Sequence, residues 1–221
     1  MYEWDFQFVW KYLPALLHGM WVTLVLTVLS CLLGTVFGTG LALLRLTRFR
    51  PLRWMLAAVV ELGLAIPVLV WLIWIKFCGP QISDVLRLDN FTVAVISLTL
   101  ALTPFVSETL RSAFDTLPRR YSLAASAVGM SAWQSFRRIL LPLAFRRTWP
   151  VMISHYVTVM KLVSVCSIIA VPELIHNSML IISREFRPLE AYTTAAFLYV
   201  LMVLPLTALS RVLERSYLVR S

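Results

Sequence analysis

The sequence contains few charged residues. Asp, Glu, Lys and Arg make up 14% of its 221 residues, whereas hydrophobic residues make up 60% and the mean hydropathy is +0.82. A soluble domain of this length needs a larger polar surface, so the composition excludes a protein that lies mainly in water. The first residues include Glu3 and Asp5 instead of a basic segment, so we expect no removable signal peptide.

The usual sequence motifs of catalysis and metal binding are also missing. None of the seven glycines precedes Lys-Ser or Lys-Thr, so the chain has no P-loop and cannot hydrolyse ATP by that route. It has no nucleophile elbow, no H-E-x-x-H and no carboxylate pair within an apolar stretch, so we predict that it is not an enzyme. Cys31, Cys78 and Cys166 form no C-x-x-C pair, and the histidines are too scattered to predict a metal site or a cofactor.

The sequence instead has long apolar stretches. A membrane core about 30 Å thick needs roughly 20 mostly apolar residues for each spanning helix. Five stretches meet this requirement: 20–43, 55–77, 91–110, 150–171 and 191–210. We therefore predict an all-α integral membrane protein with about five transmembrane helices in a single domain, 1–221.

Basic residues are concentrated in three segments that five spans place on one side of the membrane. These arginines are Arg45, Arg48, Arg50 and Arg53, then Arg119, Arg120, Arg137, Arg138, Arg146 and Arg147, and finally Arg211, Arg215 and Arg220. Because Lys and Arg are retained on the cytoplasmic side, the N-terminus is predicted outside and the C-terminus inside. The net charge of +9 is thus assigned to lipid and protein partners, and not to nucleic acid.

Two features of the first span predict how it sits and packs. Aromatic residues cluster ahead of it, between Trp4 and Tyr12, which is typical of an interfacial segment on the outer face. Gly34 and Gly38 form a G-x-x-x-G pair, which lets another helix approach closely.

The segment 121–142, between spans three and four, has the pattern of a short helix–turn–helix on the cytoplasmic surface. Gly129 is suited to end the first helix with a positive φ. Ser131 and Gln134 have the spacing of a capping box for the second, which Pro142 is expected to end. From these residues alone, the segment is either a docking site for a partner or an amphipathic loop that packs on its own protein.

Ionisable residues within the spans are costly and need an explanation. Lys161, near the middle of span four, could meet a substrate carboxylate in an aqueous path, or could be satisfied by backbone carbonyls or by Glu61 of span two. Ser164 and Thr158 share roughly its helix face and could add hydrogen bonds, or could bond back to their own helix. Glu61 is itself a candidate path residue. The alternative is that its side chain snorkels to the membrane surface or forms a structural ion pair.

Glu108, Arg111 and Asp115 have i, i+3, i+4 spacing near the cytoplasmic end of span three. This spacing predicts a local ladder of ion pairs on one helix face. A role for Glu108 and Arg111 in a cytoplasmic gate is the alternative that the resemblance described next suggests.

The string LAASAVGMSAWQSFRRILLP, residues 123–142, resembles the EAA motif of ABC-importer permeases. The residues at the motif's spacing are Ala124, Ala125, Gly129, Ile139, Leu141 and Pro142. In that family the loop forms a coupling helix that binds in a groove of a separate ATPase subunit. Leu123 stands where the motif has Glu, so docking is expected to be weaker here or specific for one ATPase.

Further motifs resemble the polar amino-acid branch of that family. They are the entry into span one at 16–24, Glu108-x-x-Arg111, and Val171-Pro172-Glu173-Leu174 after span four; the opening 2–5 is similar to glutamate/aspartate-type members. The chain departs from the branch at 64–67 and 161–165, both near the expected path, which leaves the substrate open.

The resemblance implies a type I ABC importer permease subunit in the bacterial cytoplasmic (inner) membrane. Its expected partners are an ATPase dimer that holds MgATP, a second permease subunit, a periplasmic solute-binding protein and membrane lipid. Its expected activity is import of polar amino acids, acidic ones first, by alternating access. A permease for another small solute and a non-transporting scaffold or receptor on the same fold remain the alternatives.

Overall fold

The computed structural model describes residues 4–47 and 49–218, with side chains other than those of Phe8, Leu209 and 211–218. Several residues used in the sequence predictions lie outside this part: Tyr2, Glu3, Arg48 and Arg220, and the side chains of Arg211 and Arg215. The described residues are almost entirely helical, and no strand occurs among them.

Four helical stretches of the described chain are long and apolar enough to cross a membrane. They are α1 (Gln7–Leu44), α5 (Asn90–Thr116), the stretch Ala132–Ile169 that contains α7 (Ala132–Ser135) and α8 (Leu141–Leu162), and α10 (Pro188–Leu218). A fifth crossing is supplied by α2 (Arg50–Ala65) together with Val68–Ile82, which contains α3 (Val68–Ile73) and α4 (Gly79–Ile82). The shorter α6 (Arg120–Ala127) and α9 (Leu174–Glu185) lie between spans. The prediction of about five spans is confirmed.

The second span differs from the uninterrupted stretch expected at 55–77. It bends by 96° between α2 and Val68–Ile82. Ile66 is extended, with φ −85° and ψ 119°, and Pro67 follows it. Proline has no N–H and disfavours helical backbone at the residue before it, so α2 ends here.

The expectation that Pro142 ends a helix is wrong. The helical stretch runs unbroken from Ala132 to Ile169 and includes a π-helical turn at Phe136–Leu140. In this turn the N–H of Leu141 donates to the carbonyl of Phe136, five residues earlier. The wider turn makes room for the ring of Pro142, which then lies in the first turn of α8. The second helix of the segment 121–142 and span four therefore form one continuous helical stretch.

The first span begins earlier than expected and packs closely on α5. Because α1 starts at Gln7, the aromatic residues Trp10 and Tyr12 belong to its first turns. A Cβ placed on Gly38 would lie 2.6 Å from Cβ of Val106, and one on Gly34 would lie 2.8 Å from the side chain of Leu102. The close approach predicted from the G-x-x-x-G pair is thus confirmed.

A fully buried carboxylate joins the outer halves of several helices. Glu173 caps α9 by accepting hydrogen bonds from the N–H groups of Ile175 (2.9 Å) and His176 (2.7 Å), and Tyr199 of α10 donates to it at 3.3 Å. The N–H of Leu174 donates in turn to Thr23 of α1. Burial raises the pKa of Glu173 to about 7, against the opposing effect of these hydrogen bonds.

We expect Gly38→Ala to destabilise the protein, because its methyl group would overlap α5; such overpacking costs about 1–3 kcal/mol. Gly40→Ala is the matched control, since no described atom lies within 4 Å of a Cβ at that position. Both changes bring the same gain in helix propensity. Thermal unfolding in detergent should show a lower midpoint for Gly38→Ala only; equal midpoints would contradict the close contact.

Glu173 should make stability depend on pH. Between pH 4.5 and about 7 the folded state holds a proton that the unfolded state releases, so stability falls as pH rises through this window. A pKa difference of this size corresponds to about 3 kcal/mol. Glu173→Gln should abolish the fall in unfolding midpoint. Glu185→Gln should retain it, because the hydroxyl of Tyr12 lowers the pKa of Glu185 and its contribution changes only at more acidic pH.

Candidate functional site

A large open cavity lies where α8 continues into the 3-10 turns Val163–Ile169 and meets α9 and α10. Its volume is about 850 Å³. Its polar wall consists of Lys161, Ser164, Ser167, Tyr192 and Tyr199. The remaining wall is apolar and consists of Val165, Ile168, Ile175, Met179, Ala196, Val200, Val203 and Leu204. A mostly apolar cavity with a few polar groups is the usual form of a small-molecule site.

Lys161 is the only cationic group among the described residues that line this cavity. Within the described part of the chain, no carboxylate forms an ion pair with it, Glu61 included. The hydroxyl of Ser164 donates to the carbonyl of Lys161, and that of Ser167 donates to the carbonyl of Ser164, both at 2.8 Å. Both serine oxygens keep acceptor capacity, whereas the ammonium group is available to an anion.

The structure brings together only two of the four predicted path residues. Lys161 and Ser164 share the cavity. Thr158 lines a separate pocket of about 60 Å³ beside Phe105 and His155, and its hydroxyl donates to the carbonyl of Ser154 at 3.0 Å. Glu61 is exposed on α2 and is not part of the cavity wall.

The predicted ladder of ion pairs on α5 is confirmed and is larger than expected. Arg111 contacts Glu108 (Nη2 to Oε1, 2.6 Å) and Asp115 (Nη1 to Oδ2, 2.5 Å). Arg45, at the end of α1, donates to Oε2 of Glu108 at 2.9 Å, and its side chain is only 7% exposed. Sequence reasoning missed Arg45, because its pairing depends on the register of α1 against α5.

Glu108 also faces a polar cleft between α5 and α8. The cleft has a volume of about 450 Å³ and contains Thr109, Ser112, Arg147 and Thr148. Thr109 of this cleft also contacts α8: its hydroxyl and Nε2 of His155 are 3.0 Å apart. Glu108, which is paired with Arg45 and Arg111, thus borders this cleft. The cleft lies at the arginine-rich end of the spans, called the basic end below.

The helix–turn–helix predicted at 121–142 is present. At the end of α6, Gly129 has φ +75°, and the N–H of Met130 donates to the carbonyl of Ala125 at 3.0 Å. The N–H of Gly129 donates to Ser126, which completes a Schellman motif. Ser131 and Gln134 form both bonds of the capping box at the start of α7.

The exposed surface of this segment includes three large apolar side chains. Leu123, Val128 and Trp133 are 68%, 76% and 66% exposed. Among the residues with motif spacing, Ala124, Gly129 and Pro142 are exposed, Ile139 is half-buried and Ala125 is buried. Ala124 would therefore meet a partner, whereas Ala125 packs within the segment. The ring of Phe136 lies 5.6 Å from that of Phe114 and so connects the segment to the end of α5.

Tyr199 and Glu173 belong to the cavity region but were not predicted as site residues. Tyr199 lines the cavity, and its hydroxyl donates to the carboxylate of Glu173 behind the wall. The sequence signal that could have identified Glu173 is its position, directly after an apolar span and Pro172. A carboxylate in that position can cap the next helix.

The chain is similar to several transport proteins over nearly its whole length. It is 29% identical to the glutamate/aspartate import permease protein GltK of Escherichia coli O6:H1 over 221 residues, covering 97% of this chain and 99% of that protein. It is 32% identical to the L-cystine transport system permease protein TcyB of Bacillus subtilis over 203 residues, covering 91% and 86%.

A solved structure has the same fold. The chain superposes on a crystal structure of an amino acid ABC transporter with histidines at a TM-score of 0.89 and 25% sequence identity, covering 97% of this chain and 100% of the other. Residues 34–219 also match the family described as binding-protein-dependent transport system inner membrane component. The chain belongs to this family of inner-membrane transport proteins.

Proposed function

We propose that the chain is a permease subunit of an ATP-driven importer of polar amino acids in the bacterial inner membrane. One observation carries the proposal: the second helix of the segment 121–142 and Lys161 of the cavity belong to the same unbroken helical stretch, Ala132–Ile169. A movement imposed on the segment by an ATPase subunit would reach the cavity without crossing a flexible joint. The names of GltK and TcyB, which specify amino acids, support this class of cargo.

The proposed substrate contact is between Lys161 and a carboxylate of the amino acid. The ammonium group stands in a largely apolar wall without a described ion-pair partner. An anion would compensate for the cost of holding this charge within the membrane. Ser164 and Tyr199 offer oxygen atoms nearby for the polar end of the same ligand. Acidic amino acids are the first candidates, because they bring a second carboxylate.

The proposed partners follow from what this chain cannot do alone. It has no P-loop, so a separate ATPase dimer binds MgATP and docks on 121–142 within the single transmembrane domain 1–221. A second permease subunit, identical or related, closes the open side of the cavity. A periplasmic binding protein delivers the substrate to the outer face. Transport then proceeds by alternating access between two states that ATP and loaded binding protein favour differently.

The arginine–carboxylate network is proposed to act at the cytoplasmic gate. Glu108 is held by Arg45 of α1 and Arg111 of α5 and also borders the polar cleft against α8. Separation of α8 from α5 would open this cleft while the α1–α5 pair stayed together. Glu108 and Arg111 would thus define the fixed side of the gate.

The proposal predicts that one amino acid class stimulates the ATPase activity of the reconstituted complex with its binding protein. Lys161→Met should then reduce substrate uptake at least about tenfold, because a bond to a charged group contributes about 1.5–3 kcal/mol. Assembly and basal ATP hydrolysis should not change. Lys76→Met, which removes a lysine at the outer end of the second span, is the matched control and should transport normally.

Two results would contradict parts of this proposal. Normal uptake by Lys161→Met would remove Lys161 from the path. ATP hydrolysis that no amino acid stimulates would leave a permease for a different solute, and failure of any ATPase subunit to bind would favour the scaffold alternative.

Gly129→Val should weaken association of the permease with its ATPase, because a β-branched residue does not readily adopt the φ of +75° found there. Gly129→Asn is the conservative control, since Asn tolerates left-handed backbone. Co-purification of the ATPase subunit should be lost with Val and retained with Asn. Equal retention by both variants would show that the turn does not shape the docking surface.

A further inference from the structure

We propose that a pocket formed by Arg45, Arg53 and Arg111 at the basic end of the molecule binds the phosphate headgroup of an anionic phospholipid. The pocket lies between the end of α1, the start of α2 and the last turns of α5. Its volume is about 510 Å³, and its other lining residues are Leu46, Thr47, Trp54, Ala57 and Asp115. It is separate from the Lys161 cavity, and two of its arginines, Arg45 and Arg111, also belong to the network proposed at the cytoplasmic gate.

The pocket has one guanidinium group more than its carboxylates neutralise. Arg45 and Arg111 form ion pairs with Glu108, and Arg111 also pairs with Asp115. Arg53 is exposed and forms no ion pair within the described part of the chain. The pocket thus holds three guanidinium groups from three helices, of which Arg45 and Arg111 are paired with carboxylates and Arg53 is left for a ligand.

Hydrogen-bond donors also remain available. Arg45 donates to Glu108 through Nη1 alone, although a guanidinium group carries five N–H donors. Arg53 adds its own donors from the neighbouring helix. Guanidinium groups match phosphate oxygens in geometry and are suited to this ligand.

The surroundings favour a lipid over a free phosphate ion. Trp54, which lines the pocket, is 71% exposed, and the exposed side chains of Leu46 and Phe49 are close to it in the chain. Tryptophan rings prefer the headgroup level of the membrane, so the basic pocket opens beside an apolar surface at the right depth for acyl chains. Basic pockets between transmembrane helices on the cytoplasmic side are a recognised form of lipid site.

A bound headgroup would connect α2 to α1 and α5 at the basic end of the molecule. Its phosphate would bridge Arg53 of α2 to Arg45 of α1 and Arg111 of α5. The turn between α1 and α2 would then be held to α5, the helix that precedes the segment 121–142. We expect anionic lipid to stabilise this arrangement in the assembled complex.

The test measures lipid retained by the purified complex after exchange into mixtures of phosphatidylcholine and phosphatidylglycerol, using native mass spectrometry. The natural protein should retain phosphatidylglycerol in preference. Arg53→Gln should reduce that retention about fivefold, the effect expected for one arginine at an anionic surface. Arg146→Gln is the matched control: it removes an exposed arginine at the same end of the molecule, outside the pocket, and should retain the lipid normally.

Two outcomes would overturn the proposal. Equal retention by Arg53→Gln and Arg146→Gln would show that the lipid responds to general surface charge and not to this pocket. Displacement of phosphatidylglycerol by inorganic phosphate at equal concentration would show that the pocket binds a free anion and that the apolar surface contributes nothing.

Discussion

Hydrocarbon offers no hydrogen-bond partner to a backbone N–H or C=O group, and this constraint shapes every crossing of the chain. Helices satisfy these groups internally, and several hydroxyls bond back to their own helix: Thr23, Thr27 and Ser97 each donate to the carbonyl four residues earlier. The exceptions are therefore informative. The helical pattern changes at Pro67, at the π-helical turn before Pro142 and at the 3-10 turns after Leu162. The last two flank α8, which lies between the segment 121–142 and the cavity.

Charged groups are arranged differently at the Lys161 cavity and at the basic end of the molecule. At the Lys161 cavity, one ammonium group stands in a mostly apolar wall, and the carboxylate of Glu173 is buried behind it with backbone and phenol donors. At the basic end, guanidinium and carboxylate groups are arranged in a connected network. An isolated charge favours the arrival of a ligand of opposite sign, whereas a network holds helices in register.

Features encoded within a few residues were predictable from the sequence. The capping box, the positive φ of Gly129 and the ladder on α5 depend only on local spacing, and all three occur in the structure. Pro142 misled the prediction because the cost of a proline in a helix depends on whether the preceding turn can widen. A π-helical turn is not visible in residue types alone.

Features that depend on the packing of distant helices were not predictable. The pairing of Arg45 with Glu108 requires the α1–α5 register, which the contacts of Gly34 and Gly38 set. The separation of Thr158 from Lys161 reflects the position of α9 and α10, which cover one side of α8 and leave another to α5. Two residues only three positions apart thus line two different pockets, a division that spacing cannot reveal.

The length of the unbroken helical stretch determines how far a tilt at one end moves the other end. From Phe136 to Lys161 the helix rises about 38 Å, so a tilt of about 5° around Phe136 would displace the ammonium group by roughly 3 Å. That distance is the difference between a hydrogen bond and no contact. Under the proposed function, a small tilt of this stretch would therefore be enough to make or release a contact between Lys161 and a bound carboxylate.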